Sequence, residues 1–340
     1  MAIKAIVAYI IYFLGFFILW TPESRAQSKV DSGFFQGQRW KDSQGNPINA
    51  HGAGVLYYKD KYYLYGEIKK GQTTLVPGQI WDAYRVPAGG VSCYSSFDLK
   101  HWKYEGVALL PNTKDTSSDL HVSRVIERPK VIFNEKTKKF VMWMHIDKED
   151  YAYARVGVAI SDSPQGPFRF LGSFRPNGNE SRDMTVFKDL DNSGYLIYSS
   201  EGNAIMHICK LSSDYLSVTK NEKRMLVWQS REAPVIIRNN KKYFLITSKT
   251  TGWSPNEAMY AVADKPLGNW KVVGNPCTGS MSETTYNSQG TFALPLTNGQ
   301  FLFMADRWNM KDLENSGYVW LPMTVEEDRL KIVWQDVAFY

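Results

Sequence analysis

One phrase of sequence recurs five times along the chain: a polar residue, an apolar strand, a short turn and a second apolar strand. Its clearest copy is SREAPVIIRNNKKYFLITS at 230–248, where Glu232 precedes the first apolar run and a polar turn separates the two runs. β-Branched and aromatic runs on either side of an Asn-containing turn predict a β-hairpin. The polar residue therefore lies at the start of the first strand of each hairpin.

The other four copies open at His51, Glu127, Asp183 and Gln289, roughly 50 to 75 residues apart. Repeats of this length, built from short strands, predict an all-β fold, a five-bladed β-propeller. The blades of a propeller surround a central channel, so we expect the five strand-start residues to converge there. The alternative is five unrelated hairpins with ordinary polar residues at their edges.

The segment 1–26 is expected to be a secretory signal peptide rather than part of the fold. Lys4 precedes an apolar run from Ala5 to Trp20, and a small-residue cleavage site ends at Ala26. The remaining residues, 27–340, then form one propeller domain, in a secreted or periplasmic protein with no stable membrane span. A retained signal anchor is the alternative, although a span needs about 20 apolar residues.

Composition and motifs exclude several classes of function. The net charge is +6, but Lys and Arg are spread along the chain without a basic run, which argues against a nucleic-acid partner. Three cysteines fit no zinc pattern and are expected to be small buried residues. The sequence contains no nucleophile elbow and no phosphate-binding loop. We expect a monomer without a cofactor or catalytic metal; a structural calcium ion in the channel is left open.

Three of the five strand-start residues are carboxylates, and this points to glycoside hydrolysis. Two carboxylates flanking a small space are the minimum for that reaction, and one must stay protonated as the general acid. Burial or a neighbouring negative charge keeps it protonated. The alternative for each acid is a salt bridge with the Arg beside it in the sequence (Arg128, Arg182 or Arg231). Neighbouring residues of a strand point to opposite faces, so such a pair does not follow from adjacency.

The order of these motifs resembles glycoside hydrolase family 43. REAPV at 231–235 is similar to the acid segment of that family, and RDMTVFKD at 182–189 to the segment of the Asp that modulates the acid. Where the family has a base Asp at the start of blade one, this chain has Ala50-His51-Gly52. That departure is the pattern of one subgroup, the exo-β-1,3-galactanases. The shared motifs, in order, are HGAG, YYLYGE, ERPKV, RDMT, EAP, Gln289 and YVWLP.

The resemblance implies an inverting enzyme that releases galactose from the ends of β-1,3-galactan chains. Glu232 would be the general acid, Asp183 its modulator, Glu127 an essential carboxylate and Gln289 the holder of the attacking water. A neutral amide is a poor base, so Gln289 would orient water and Glu127 stays the alternative base. The acid of an inverting enzyme lies about 6.5–9.5 Å from the group that positions water.

Two other hypotheses remain. One is a different family 43 activity, on arabinose or xylose, which the missing blade-one Asp argues against. The other is a sugar-binding propeller without catalysis, which the three carboxylates argue against.

Further candidates for contact with the oligosaccharide or polysaccharide substrate lie after the inner strands or in loops near the channel mouth. For each aromatic candidate, burial in the core or at a blade edge is the alternative. The loop from Lys69 to Gly90 is long enough to be either functional or disordered, and we expect it to close one end of the channel. The candidates are Glu67, Tyr153, Asn203, Trp253, Trp308 and Tyr318.

Overall fold

The computed structural model describes residues 34–296 and 298–338. Within them the regular secondary structure is almost wholly β-strand, with short 3₁₀ turns at Pro176–Gly178, Ser282–Thr284 and Leu313–Asn315. No helix of these residues is long and apolar enough to cross a membrane. The predicted signal peptide lies outside the described residues.

Blades one and two are four-stranded antiparallel sheets in which consecutive strands are neighbours, and blade one carries a small extra hairpin in its second connection. Blade one contains β1 (His51–Tyr58), β2 (Lys61–Lys69), the extra hairpin β3 (Thr74–Leu75) and β4 (Tyr84–Arg85), β5 (Ala88–Ser96) and β6 (Lys103–Leu109). Blade two contains β7 (Val125–Asn134), β8 (Lys139–Asp147), β9 (Arg155–Ser161) and β10 (Arg169–Phe174).

Blades three and four repeat the same four-stranded plan. Blade three contains β11 (Met184–Lys188), β12 (Gly194–Ser200), β13 (Ile205–Leu211) and β14 (Val218–Met225). Blade four contains β15 (Arg231–Asn239), β16 (Lys242–Lys249), β17 (Met259–Ala263) and β18 (Lys271–Gly274).

Blade five has a fifth strand, because the segment before it adds to the outer edge of its sheet in parallel. The strands are β19 (Cys277–Thr278) at that edge, β20 (Gln289–Pro295), β21 (Phe301–Arg307), β22 (Gly317–Glu326) and β23 (Arg329–Val333). Each of the five hairpins that the sequence predicts is present, and the all-β, five-bladed propeller is confirmed.

The ring closes because every blade packs against both of its neighbours. Five apolar clusters fill the five spaces between adjacent blades, including the space between blades five and one. Successive strand residues alternate between these clusters: Val235 faces blade five and Ile236 faces blade three. The inner strands β1, β7, β11, β15 and β20 contact one another around the channel. Buried faces on both sides explain why the strands read as nearly continuous apolar runs.

The three cysteines lie in these clusters. Cys93, Cys209 and Cys277 are buried free thiols, as the sequence predicts, and contribute as small core residues.

Candidate active site

Four of the five strand-start residues surround one end of the channel, because each lies at or next to the start of an inner strand. Glu127 lies on β7, Glu232 on β15 and Gln289 opens β20, while Asp183 immediately precedes β11. The ladders of β7 and β15 are interrupted by bulges directly after the two glutamates. A bulge changes the direction of the side chains next to it. The residues at the start of these strands therefore need not alternate between the two faces of the sheet.

A cavity of about 680 Å³ opens where these strand starts converge. Its volume is in the range of small-molecule binding pockets. Eight of the ten residues that the sequence singles out line it: Glu67, Glu127, Asp183, Asn203, Glu232, Trp253, Gln289 and Trp308.

Tyr153 and Tyr318 do not line the cavity. The ring of Tyr153 lies on the Arg155 guanidinium, 4.3 Å from ring centroid to Cζ. Tyr318 is buried; its hydroxyl accepts a hydrogen bond from Ala50 N (2.9 Å) and donates one to Ile48 O (3.1 Å). Tyr153 is thus a half-buried aromatic that packs against the apolar cluster between blades one and two, and Tyr318 fixes the backbone that leads into β1.

His51 also departs from the expectation that all five strand-start residues reach the channel opening. Its ring is buried, with Nδ1 3.0 Å from Asp306 Oδ1, and the Tyr318 ring stacks on it at 4.9 Å. Asp306 also accepts a hydrogen bond from Gly52 N at 2.7 Å. The carboxylate on β21 therefore holds His51 beside the cavity wall rather than in it.

Glu232 combines burial with a nearby negative charge. Its Oε1 accepts from Gln289 Nε2 (2.9 Å) and its Oε2 from Asn203 Nδ2 (3.2 Å). Burial, followed by the charge of Asp183, raises the pKa of Glu232 to about 8, although Arg128 opposes the shift. A carboxyl group with that pKa is mostly protonated at neutral pH and has a proton to donate.

Asp183 is held between Glu232 and an arginine that the sequence does not single out as functional. Its Oδ1 lies 2.7 Å from Arg128 Nε, and its Oδ2 accepts from Ala233 N, the residue after the acid, at 3.1 Å. Arg128 has a left-handed backbone, φ +50°, in the bulge of β7. The bulge thus lets adjacent residues of one strand, Glu127 and Arg128, both line the cavity.

Glu127 is surrounded by cations and donors. Lys69 Nζ lies 3.4 Å from its Oε1, the Tyr151 hydroxyl donates to the same oxygen at 3.1 Å, and His145 Nδ1 lies 3.4 Å from Oε2. Burial alone raises the pKa of Glu127, but Lys69 and His145 outweigh burial and hold that pKa well below its usual range. Glu127 is therefore a fixed anion at neutral pH. Tyr151 takes the place in the site that the sequence predicts for Tyr153.

The amide of Gln289 is fully hydrogen-bonded. Its Oε1 accepts from Arg128 Nη2 (2.7 Å) and Trp308 Nε1 (3.2 Å). Its Nε2 donates to Glu232 Oε1 (2.9 Å) and Ser248 Oγ (3.1 Å). The direct bond between Gln289 and Glu232 is much shorter than the separation expected between an acid and the residue that positions water across a sugar.

Four buried polar atoms of described residues that line the cavity have no hydrogen-bond partner. Glu67 Oε2 and His145 Nδ1 still have ion-pair contacts, whereas Asn203 Oδ1 and Trp253 Nε1 have none. Such atoms are rare in folded proteins, because leaving them unpaired costs free energy. A free acceptor on blade three and a free donor on blade four suit a ligand that carries several hydroxyl groups.

Side-chain donor atoms of Glu127, His145 and Asp183 lie within 4.8 Å of one another, which is the spacing of a metal site. Two of the three already pair with a cation, since Lys69 holds Glu127 and Arg128 holds Asp183. Burial lowers the pKa of His145, but the carboxylates hydrogen-bonded to it raise the pKa to about 9. A protonated imidazole has no lone pair for a metal. These residues do not fit a metal ion, and the absence of a catalytic metal stays a prediction.

Comparison with known proteins places this geometry in a family. The model for glycosyl hydrolases family 43 matches residues 44–300. A search among curated proteins gives no match. Three solved structures are similar to this chain over most of its length.

A family 43 β-1,3-galactosidase, solved with galactodeoxynojirimycin, is 37% identical, with 90% of this chain and 100% of that chain covered and a TM-score of 0.83. The exo-β-1,3-galactanase of Phanerochaete chrysosporium, solved with galactose, is 36% identical, with coverage of 90% and 67% and a TM-score of 0.81. That of Clostridium thermocellum is 37% identical, with coverage of 89% and 65% and a TM-score of 0.78. The chain is therefore a glycoside hydrolase and belongs to family 43.

Proposed function

We propose that the enzyme releases galactose from the ends of β-1,3-galactan chains, such as the backbone of arabinogalactan, with inversion at the anomeric carbon. The relatives described above are a β-1,3-galactosidase and two exo-β-1,3-galactanases. The observation that carries the proposal is Glu232, a carboxyl group whose pKa is raised to about 8 beside Asp183 in a cavity of sugar-binding size.

In this reaction Glu232 donates its proton to the leaving glycosidic oxygen. Asp183 keeps Glu232 protonated through its charge, and Arg128 fixes Asp183 at 2.7 Å. Asn203 and Gln289 accept no proton from the acid; they orient its two oxygens by donating to them. General acid catalysis of this kind contributes typically about 10²–10⁴-fold to the rate.

The attacking water is held on the side of Glu127. Blade three separates blade two, which carries Glu127, from blade four, which carries Glu232, whereas Gln289 belongs to the blade adjacent to Glu232. Inversion requires water on the face of the sugar opposite to the acid. Glu127, the anion on blade two, orients that water, accepts its proton as the new bond to the anomeric carbon forms, and stabilises the positive charge that develops on the sugar.

The connection between β2 and β5 supports action at a chain end. Trp81 reaches from this loop to Tyr151 of blade two, with ring centroids 5.4 Å apart, and to Gly252 of blade four. At Gly252 a side chain would lie only 3.1 Å from the indole. The base of the loop is tied to blade five, where Gly71 N donates to Glu314 Oε2 at 2.9 Å. A loop that crosses one side of the cavity leaves room for a terminal sugar better than for a continuous chain.

The same proposal includes a place of action outside the cytoplasm. The apolar segment before residue 26, with its small-residue cleavage site, is that of a secretory signal peptide. Cleavage after Ala26 in an expression host that secretes the protein is tested by N-terminal sequencing of the product. An uncleaved N-terminus in a membrane fraction would favour the anchor instead.

Product analysis tests the activity. With β-1,3-galactan, galactose or short branched oligosaccharides should appear from the earliest times, and NMR should detect the α-anomer first. A rapid fall of polymer viscosity with little free galactose would contradict exo-action, and an initial β-anomer would contradict inversion. Aryl galactosides, arabinofuranosides and xylosides, compared at equal concentration, separate the galactanase from other activities of the family.

A further inference from the structure

Lys69, at the end of β2, lies between two carboxylates of the cavity. Its Nζ is 2.8 Å from Glu67 Oε2 and 3.4 Å from Glu127 Oε1, and its side chain is only 9% exposed. Burial lowers the pKa of Lys69, but Glu67 and Glu127 outweigh burial and raise that pKa, so the group is a cation at neutral pH. A buried ammonium with two acidic partners holds both in a fixed geometry.

The same ammonium lies against the aromatic wall of the cavity. Its Nζ is 5.6 Å from the Trp253 ring centroid and 5.7 Å from that of Trp308, within the range of a cation–π contact. The two indoles contact each other edge to face, with centroids 5.0 Å apart. Trp308 in turn donates to Gln289. Lys69 is thus the point at which the carboxylates of blades one and two meet the tryptophans of blades four and five.

We propose that Lys69 is a positioning residue for the reaction, which holds Glu127 as an oriented anion and joins it to the two tryptophans of the sugar-binding wall. The proposal rests on the proposed function, in which Glu127 faces the attacking water. Lys69 touches no reacting atom in this role and acts through its partners.

The surroundings of Glu127 show why Lys69 has this effect. Burial disfavours a carboxylate, and Glu67 and Asp183 add like charge, so the anion persists only while the cations beside it outweigh these contributions. Without Lys69, Glu67 and Glu127 lose the cation between them, and His145 is left as the cation in contact with Glu127. The ionisable groups that interact with Glu127 are Lys69 and Glu67 on β2, His145 on β8, Tyr151 in the loop after β8, Asp183 before β11 and Glu232 on β15.

Lys69→Met tests the proposal, because it keeps an unbranched apolar side chain of similar length and removes the charge. On β-1,3-galactan oligosaccharides, kcat/KM at pH 6 should fall by about 10²-fold, the usual cost of a misplaced catalytic group. The acid limb of the pH profile should move to higher pH, toward the ordinary glutamate pKa of about 4.3. A primary alkylamine added to Lys69→Ala should restore part of the activity, and an alcohol of equal size should not. Lys70→Met, at an exposed neighbour, is the matched control.

A second measurement does not depend on the substrate. In protein labelled with ¹³C at the glutamate carboxyl groups, the Glu127 resonance is assigned from Glu127→Gln and followed against pH. It should stay ionised to the lowest pH at which the wild type is folded and titrate at higher pH in Lys69→Met. If the wild type releases no galactose but this titration moves, the proposed function fails and the positioning role stands. If Lys69→Met melts at the wild-type temperature and the Glu127 titration does not move, the positioning role of Lys69 is wrong. If Lys69→Met does not fold, the same measurement is made on Lys69→Gln.

Discussion

Replacing Asp183 by Asn should move the alkaline limb of activity to lower pH. The limb reports the loss of the Glu232 proton, and burial together with the charge of Asp183 raises the pKa of that group to about 8. The substitution keeps the size of residue 183 and removes the negative charge. It also leaves the Arg128 guanidinium, 2.7 Å from Asp183 in the native site, without its acidic partner. Both changes favour the ionised form of Glu232.

The size of the effect follows from these contacts. One nearby charge changes the pKa of a carboxyl group by roughly 1–3 units. With a pKa of about 8, Glu232 is about 90% protonated at pH 7; with a pKa of about 6 it would be only about 10% protonated. Activity at pH 7 should therefore fall about tenfold from protonation alone, and much of it should return near pH 5. Asn keeps one acceptor oxygen, so either Arg128 or Ala233 N loses its acceptor, which adds a smaller penalty that does not vary with pH.

The assay is kcat/KM between pH 4 and 10, which reports groups of the free enzyme. Asp191→Asn is the matched control, because Asp191 is an exposed residue in the turn at the far end of the same hairpin. Its profile should coincide with that of the wild type. An alkaline limb that stays in place in Asp183→Asn, or moves to higher pH, would refute the assignment of Asp183 as the residue that keeps Glu232 protonated.

Two further substitutions test the roles of the neighbouring groups. Glu232→Gln should lower activity on galactan by about 10²–10⁴-fold and lower it less on an aryl galactoside with a good leaving group, which needs little protonation; equal losses on both substrates would contradict the acid role. Gln289→Glu places a carboxylate 2.9 Å from Glu232 and should move the alkaline limb to higher pH, opposite in sign to Asp183→Asn. A gain of activity with a new acid limb, measured in the same profile, would instead show that residue 289 accepts the proton of water.

The propeller and the carboxylates could be predicted from the sequence because both depend on local repeats. Each hairpin copy carries its own turn and apolar strands, and four of the five polar residues at the strand starts line the cavity that these strands surround. An acid next to an arginine in a strand need not pair with it, and none of the three adjacent acid–arginine pairs forms an ion pair. Instead Arg128 pairs with Asp183, Arg182 pairs with Glu180, and Arg231 donates to Thr247.

The rest of the site depends on irregular backbone, which no periodic pattern describes. The bulge of β7 brings Arg128 to the same cavity as Glu127, although strict alternation would point it away. The loop after β8 places Tyr151 rather than Tyr153 at the carboxylate. In the sequence, Lys69 has no feature that distinguishes it from other residues at strand ends. It contacts Glu127 only because β2 packs against blade two. A local sequence motif does not reveal contacts between segments that are far apart in the sequence.

The hydrogen bonds of Gln289 bear on which group handles the attacking water. Arg128 and Trp308 can only donate, so the oxygen of the amide must face them and its nitrogen must face Glu232 and Ser248. An amide has two donor hydrogens and two acceptor positions, and here all four are used. Gln289 can bind a water only by releasing one of these partners, since both acceptor positions of its oxygen are occupied by Arg128 and Trp308. The amide is therefore built to hold the acid in place, and under the proposed function the attacking water lies at Glu127 rather than at Gln289.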